Sequence, residues 1–316
     1  MAPTSRPRAF RLVRRSRFWT RQDVAVYGDF CSKRLYPDVK QRSARVDDRT
    51  KGRLTKDGIR IYDSEDFAGM HKAGELAAHI LDAIASLVVP GATTGEIDAA
   101  IEKMVDDAGA TSATIGYKGY QHASCISVNH VVCHGIPGEK RLKDGDILNV
   151  DVTVIVDGWY GDTSRMYVAG KLARKAERLI QVTHDALFEG IEAVKPGNTF
   201  GDIGHAIQTF VEANRMSVVR DFCGHGLGRV FHSPPNVLHY GRPGTGAVLE
   251  PGMFFTIEPM VNLGRPETKV LADDWTAVTR DKSLSAQFEH SVGVTEDGCE
   301  VFTLSPGGRF HPTWDA

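Results

Sequence analysis

The stretch "NVDVTVIVDGWYGDTSR", residues 149–165, decides how the chain folds. Polar and apolar residues alternate up to Val156, as in a half-buried strand. An Asp157-Gly158 pair follows, the strongest short-range hairpin signal, and then a second run. A two-residue loop sets the register: Val156 faces Trp159, Thr153 faces Asp162, and Asp151 faces Ser164. Asp is depleted in strands, yet Asp151 and Asp162 each sit inside one. They share a face with Thr153, because side chains alternate with period two. As diagonal neighbours they lie roughly 7–8 Å apart at the backbone and closer at the side chains. Two like charges so placed repel unless a cation or a proton lies between them. A shared metal is one reading of the hairpin, and an Asp turned to solvent is the other.

The 316 residues have room for one large domain or two ordinary ones. With 41% hydrophobic and 25% charged residues, the composition is that of a soluble globular protein with a real core. No apolar run approaches the ~18–20 residues of a membrane span. Cys31, Cys125, Cys133, Cys223 and Cys299 are scattered and form no CxxC pair, so neither a disulfide framework nor a thiolate zinc site is signalled, and a reducing cytoplasm is expected. The net charge of −2 hides an asymmetry: residues 1–60 hold 17 Lys/Arg against 6 Asp/Glu, a surplus of +11 that leaves −13 elsewhere. The first 22 residues contain no acid. Such an arm reads as a solvated tail, a nucleic-acid-binding segment or an organellar transit peptide. Residues 1–60 are therefore expected to be a poorly ordered basic extension, and 61–316 the folded domain that carries the function.

The chain also repeats itself. "LVVPGATTGEIDAAI" (87–101) and "AVKPGNTFGDIGHAI" (193–207) match at eight of fifteen positions, at an offset of 106. In each copy a helix stops before a proline, which lacks the amide hydrogen a helix interior needs. A threonine then caps a new helix, Thr93 with Glu96 and Thr199 with Asp202 as capping boxes. The spacing is too long for a solenoid, so two copies point to a duplicated α/β unit. Helices are expected near 64–88, 94–108, 172–194 and 200–214. Strands are expected near 123–132, 147–156, 159–168, 217–222, 253–258, 265–280 and 286–303. Helices beside antiparallel hairpins make an α+β layer.

If Asp151 and Asp162 hold metal, further ligands lie elsewhere. "FCGHGLGRVFHSPP" places His225 among glycines, with His232 seven residues on. "MFFTIEPM" places Glu258 at the end of an apolar strand, and "SLSAQFEHSVGV" places Glu289 in another. Buried carboxylates without partners cost several kcal/mol, so four of them ask for shared positive charge. Oxygen donors with one imidazole favour manganese, iron, cobalt or zinc. Four carboxylates suit two ions about 3.5–4 Å apart, which activate a water as nucleophile and polarise a carbonyl. The matching reaction is amide hydrolysis.

The order Asp, a second Asp eleven positions on, His, Glu, Glu, with "VCHGIP", "GHGLGRVFH", "TIEPM" and "SAQFEH" around it, resembles the bacterial type I methionine aminopeptidase family. The resemblance runs from about residue 62 to 305. It implies the pita-bread fold: two pseudo-symmetric α/β halves with a curved antiparallel sheet covered by helices, around a dimetal centre. It implies Asp151, Asp162, His225, Glu258 and Glu289 as metal ligands, with Asp162 and Glu289 bridging. It further implies His232 at the scissile carbonyl, His134 near the amide nitrogen, and Glu258 as a candidate proton shuttle. Tyr117, Tyr120, Cys125, Phe231 and Trp275 would line the methionine pocket, where aromatic and sulfur groups suit a thioether. Main-chain oxygens of Asn129, Val131 and Ser285 would match a monovalent cation site. Thr114 stands where some relatives have cysteine.

The 33-position spacing from His225 to Glu258 leaves no room for the helical insertion of type II relatives, and the extension, with only Cys31, signals no zinc module. The resemblance implies removal of the initiator methionine from nascent polypeptides with a small second residue, by a cytoplasmic monomer. The basic arm would contact the ribosome. The alternatives are a proline-directed relative and a non-catalytic one that binds RNA or ribosomes through the arm.

Overall fold

The computed structural model describes residues 52–309. Four α-helices are present among them: α1 (Asp66–Ala83), α2 (Thr94–Asp107), α3 (Arg174–Glu192) and α4 (Phe200–Ala213). The strands of the first half are β1 (Arg53–Leu54), β2 (Arg60–Ile61), β3 (Thr111–Ser112), β4 (Ser124–Val128), β5 (Val131–Cys133), β6 (Asp146–Val156) and β7 (Trp159–Ala169). The second half holds β8 (Ser217–Val218), β9 (Gly224–Gly226), β10 (Ser233–Val237), β11 (Phe254–Ile257), β12 (Met260–Asn262), β13 (Thr268–Val270), β14 (Ala277–Thr279), β15 (Ser285–Gln287), β16 (His290–Val294) and β17 (Cys299–Val301).

The hairpin has the expected register, Val156 opposite Trp159, Thr153 opposite Asp162 and Asp151 opposite Ser164. Its turn puts Asp157 at φ 50° and Gly158 at φ 82°, as a type I′ turn requires. Helix α1 lies across this hairpin, with Met70, Ala73, Ala77 and Leu81 buried beneath it. The Tyr167 hydroxyl donates to Leu81 O at 2.6 Å. The approach is close because Gly161 has no Cβ: one there would strike the Ala73 carbonyl. Gly161→Ala should lower stability by about 1–3 kcal/mol, the usual cost of overpacking. Thermal melting checks this, and a variant that melts with the parent would show that β7 can slide.

The duplication is visible in three dimensions. Thr93 N–H donates to Glu96 Oε2 at 2.7 Å, and Thr199 N–H donates to Asp202 Oδ2 at 2.7 Å. The turns before α2 and α4 pair with equivalent segments: Gly91 N–H donates to Leu142 O (2.8 Å) and Gly197 N–H to Leu249 O (3.1 Å). Each half therefore carries a long helix, a capped 14-residue helix and a strand leading to the centre. In the second half, β10-β9-β11-β16-β17 form an antiparallel sheet. Helix α3 packs on β11, β12 and β15 through Leu179, Ile180, Leu187 and Ile191, spaced as one helix face.

Several expectations are corrected. Residues 53–60, assigned to the extension, pair as β1 and β2, and Ile59 is 2% exposed in the core. The rest of the extension, residues 1–51, lies outside the described residues. The single strand expected over 265–280 is a hairpin. Its turn forms where the Trp275 and Thr276 amides donate to Asp273 Oδ1. The strand expected over 286–303 is β15, β16 and β17, with Glu289 at the break between the first two. Strands β9 and β10 went unread because "CGHG" and "SPPN" look like loops. Pairing makes them strands: a Cβ on Gly226 would meet Pro234 O, and on Gly224 would meet Thr256 O.

Candidate metal centre and substrate pocket

A cavity of about 610 Å³ opens at the seam between the halves. Asp151, Asp162, His225, Glu258 and Glu289 all line it. Asp151 and Asp162 come from the hairpin, His225 from β9, Glu258 from the end of β11, and Glu289 from the link between β15 and β16. Ligand atoms of Asp162, His225 and Glu289, all buried, lie within 4.8 Å of one another. His225 Nε2 is 3.4 Å from Asp162 Oδ2 and 3.8 Å from Glu258 Oε1.

Hydrogen bonds aim each group. Thr153 donates to Asp162 Oδ1 at 2.7 Å, which leaves Oδ2 toward the histidine. Thr256 donates to Glu258 Oε1 (2.9 Å) and Gln287 Nε2 donates to Oε2 (3.3 Å). The Glu258 N–H donates to His239 Nε2 at 3.0 Å. Glu289 is held by its backbone, its N–H donating to Ser164 O (3.1 Å) and its carbonyl accepting from Thr163 (2.7 Å). Thr153 was legible in the sequence opposite Asp162, whereas Thr163, His239, Thr256 and Gln287 escaped sequence reasoning as supports. Of these four, Thr256 alone had a signal, two positions before Glu258 and thus on its face.

The electrostatics are unbalanced without a cation. Burial, then Asp162 and Glu258, push the Asp151 carboxyl well above its usual range. Burial, then Asp162, Glu258 and Asp151, do the same to Glu289. Burial and the Asp162 charge raise Glu258 to about 7, against the pull of His225. For His225, burial opposes the charge, but Asp162 and Glu258 outweigh it and the net shift is upward. The His225 imidazole sits 3.2 Å from Gly226 O through Nδ1. With the proton on Nδ1, the Nε2 lone pair faces two carboxylates. That is repulsive by itself and fits a shared divalent ion, the usual arrangement of a ligating histidine. The donor set fits a metal.

Next to this cluster is an aromatic wall. The Tyr117 ring is 5.0 Å from Phe231 and 5.2 Å from His232, and Tyr120 is 4.8 Å from Trp275. Cys125 is buried beside Tyr120 and opposite Asp151 in register. His232 lies 4.1 Å from the His225 ring, and His134 is 6.1 Å from Trp275. Though more open to solvent than His225, His232 is pushed down to about 4 by desolvation among these rings and by the neighbouring His225. Burial and the Lys118 charge push His134 down as well. Thr114 lines the cavity and donates to His122 O at 2.7 Å. Asp221, Phe222 and Cys223 also line it and were not foreseen. Asn129 and Ser285 stand apart from the cavity: Ser285 N–H donates to Asn129 O at 2.9 Å, and Val131 follows in β5.

Two related halves meeting at a buried carboxylate–imidazole cluster define a metallopeptidase of the pita-bread fold. A model for metallopeptidase family M24 matches residues 68–296. The chain belongs to that family, and within it to the methionine aminopeptidases. It is 55% identical to the methionine aminopeptidase of Rickettsia prowazekii over 257 residues, 81% of this chain and 99% of that one. It is 52% identical to the Escherichia coli K12 methionine aminopeptidase over 248 residues, 78% of this chain and 94% of that one. The solved Rickettsia prowazekii enzyme superposes with a TM-score of 0.77 at 56% identity, covering 78% of this chain and all of that one. The Thermotoga maritima enzyme gives 0.76 at 41% identity, covering 78% and 99%. A Pyrococcus horikoshii prolidase, 21% identical with a TM-score of 0.63, shares the fold alone, over 78% of this chain and 63% of that one. No helix among the described residues is long and apolar enough to cross a membrane.

Proposed function

We propose that the enzyme removes the initiator methionine from new polypeptides whose second residue is small, using two divalent ions held by Asp151, Asp162, His225, Glu258 and Glu289. The observation that carries this is the imidazole Nε2 of His225 facing Asp162 and Glu258 at 3.4 and 3.8 Å, with Glu289 in the same cluster. Such ions supply an activated water at neutral pH and polarise a carbonyl. Cobalt, manganese, iron and zinc all suit the donors.

The remaining roles belong to the chain itself. Tyr117, Tyr120, Cys125, Phe231 and Trp275 take the methionine side chain and exclude water from it. His232, neutral at working pH because its pKa is near 4, donates an N–H to the oxygen that gains charge in the transition state. His134 holds the amide nitrogen. Glu258, fixed at both oxygens, moves a proton toward the leaving amine. Main-chain oxygens of Asn129, Val131 and Ser285 would hold a monovalent cation that stiffens the β5–β15 corner. The reading includes a cytoplasmic monomer, with the basic extension that precedes β1 touching the ribosome where substrates emerge.

The purified protein, with metal restored, should release methionine from Met-Ala-Ser and not from Met-Lys-Ser. Chromatography of free methionine reads the result. No release under any of the four metals would end the proposal.

A further inference from the structure

The rim of the cavity carries a charge that the roles above do not use. Among the described residues that line it, Lys118 is the one lysine or arginine. It sits at the tip of a hydrogen-bonded turn. Tyr117 N–H donates to Thr114 O (3.0 Å), Gly119 N–H to Gly116 O (3.3 Å) and Tyr120 N–H to Tyr117 O (2.9 Å). Between Gly116 and Gly119, Lys118 itself adopts φ 47°, ψ 31°. That left-handed conformation is uncommon outside glycine, asparagine and aspartate, and persists where the surroundings impose it. The turn is fastened by the Tyr117 ring, which packs against both Phe231 and His232. The ammonium lies 5.3 Å from the centre of that same ring, so it stands one aromatic ring away from His232.

The direction of the substrate follows from the shape. With the methionine in the recess of Tyr117, Tyr120, Cys125, Phe231 and Trp275, the rest of the peptide leaves past His232 toward the exposed rim. The other exposed charge on the lining, Asp221, is held by the Thr268 hydroxyl, which donates to its Oδ2 at 2.6 Å. The residue next to methionine must be small, so the first side chains long enough to meet Lys118 are those that follow it.

We infer that Lys118 is a specificity-determining residue that favours peptides with an acidic side chain one or two positions beyond the small second residue, and disfavours basic ones there. This rests on the aminopeptidase reading above. A single rim charge partly screened by water supports roughly a two- to five-fold preference.

The test compares kcat/KM of the metal-loaded full chain for Met-Ala-Glu-Ala, Met-Ala-Gln-Ala and Met-Ala-Lys-Ala. The parent should prefer Glu over Lys roughly four-fold or more at low salt, and the preference should shrink in 0.5 M salt, where exposed charges are screened within about 4 Å. Lys118→Asn should bring the ratio near one, and Lys118→Asp should invert it. Both replacements tolerate the left-handed backbone, so the turn is kept. A parent ratio indifferent to salt, or the same ratio in both variants, overturns the inference. Failure to release methionine from all three peptides overturns the aminopeptidase reading and this inference with it.

Discussion

Glu289→Gln should cut methionine release by roughly a thousandfold or more. Several kcal/mol of metal-dependent stabilisation would go, and each ~1.4 kcal/mol is tenfold in rate. The change is nearly isosteric, and the backbone bonds to Ser164 and Thr163 do not involve the side chain. The fold should therefore survive. Its effect on the metal-free protein has the opposite sign. Glu289 is 3% exposed among Asp151, Asp162 and Glu258, so the amide removes its repulsion with them. At pH 8 the metal-free variant should melt no earlier than the metal-free parent, while metal analysis and calorimetric titration show fewer or weaker ions. A variant that keeps the parent's metal content and activity within tenfold would mean that Glu289 holds no metal.

Stripping the metal should make stability fall as pH rises from 6.5 to 8. Asp151, Glu258 and Glu289 have folded pKa values above their unfolded ones, Glu258 near 7. Groups shifted this way contribute stability that is present in full below about pH 4.5 and lost as pH climbs through the folded value. His225, also raised, acts with the same sign above its unfolded pKa. Among the described residues five histidines work the other way, because their folded pKa values are depressed: His130, His134, His232 (about 4), His239 (about 3) and His290 (about 3). Their contribution rises with pH and levels off about one unit above 6.5, where the unfolded imidazoles too have lost their protons, so it offsets only the first part of the window. The buried thiols of Cys125 and Cys133, shifted up by burial, enter only when unfolded cysteine ionises near 8.5. In the window between, each carboxyl still protonated in the fold removes about 1.4 kcal/mol per pH unit. The metal-free melting temperature should drop by several degrees across it. The loaded protein should stay level or gain, because metal binding needs deprotonated ligands and tightens with pH. Parallel melting curves with and without metal would show that these carboxylates do not meet.

The expected calorimetric and kinetic effects both trace to residues that were legible before any fold was known. Asp151 and Asp162 stood out as carboxylates misplaced in strands, and the Asp157-Gly158 turn gave their register without error. The two capping boxes and the repeat of residues 87–101 in 193–207 announced two related halves. These signals are local: a turn, a cap and an alternation are set by neighbours a few positions away. His225, Glu258 and Glu289 were only oddities one at a time. Their order and the phrases around them carried the family resemblance, which the comparisons with known proteins bear out.

The amino-acid order alone thus determined the hairpin, the helices, the doubled architecture and the kind of chemistry. Only the tertiary structure decided what each group faces. It paired "CGHG" and "SPPN" as strands, which no propensity favours, because glycine lets two backbones close to hydrogen-bonding distance. It brought His239, Thr256 and Gln287 to Glu258, from 19 and 29 residues away in the cases of His239 and Gln287. It set Lys118 one ring from His232. Contacts between distant segments depend on how the two halves pack, and packing is a property of the whole chain rather than of any stretch within it.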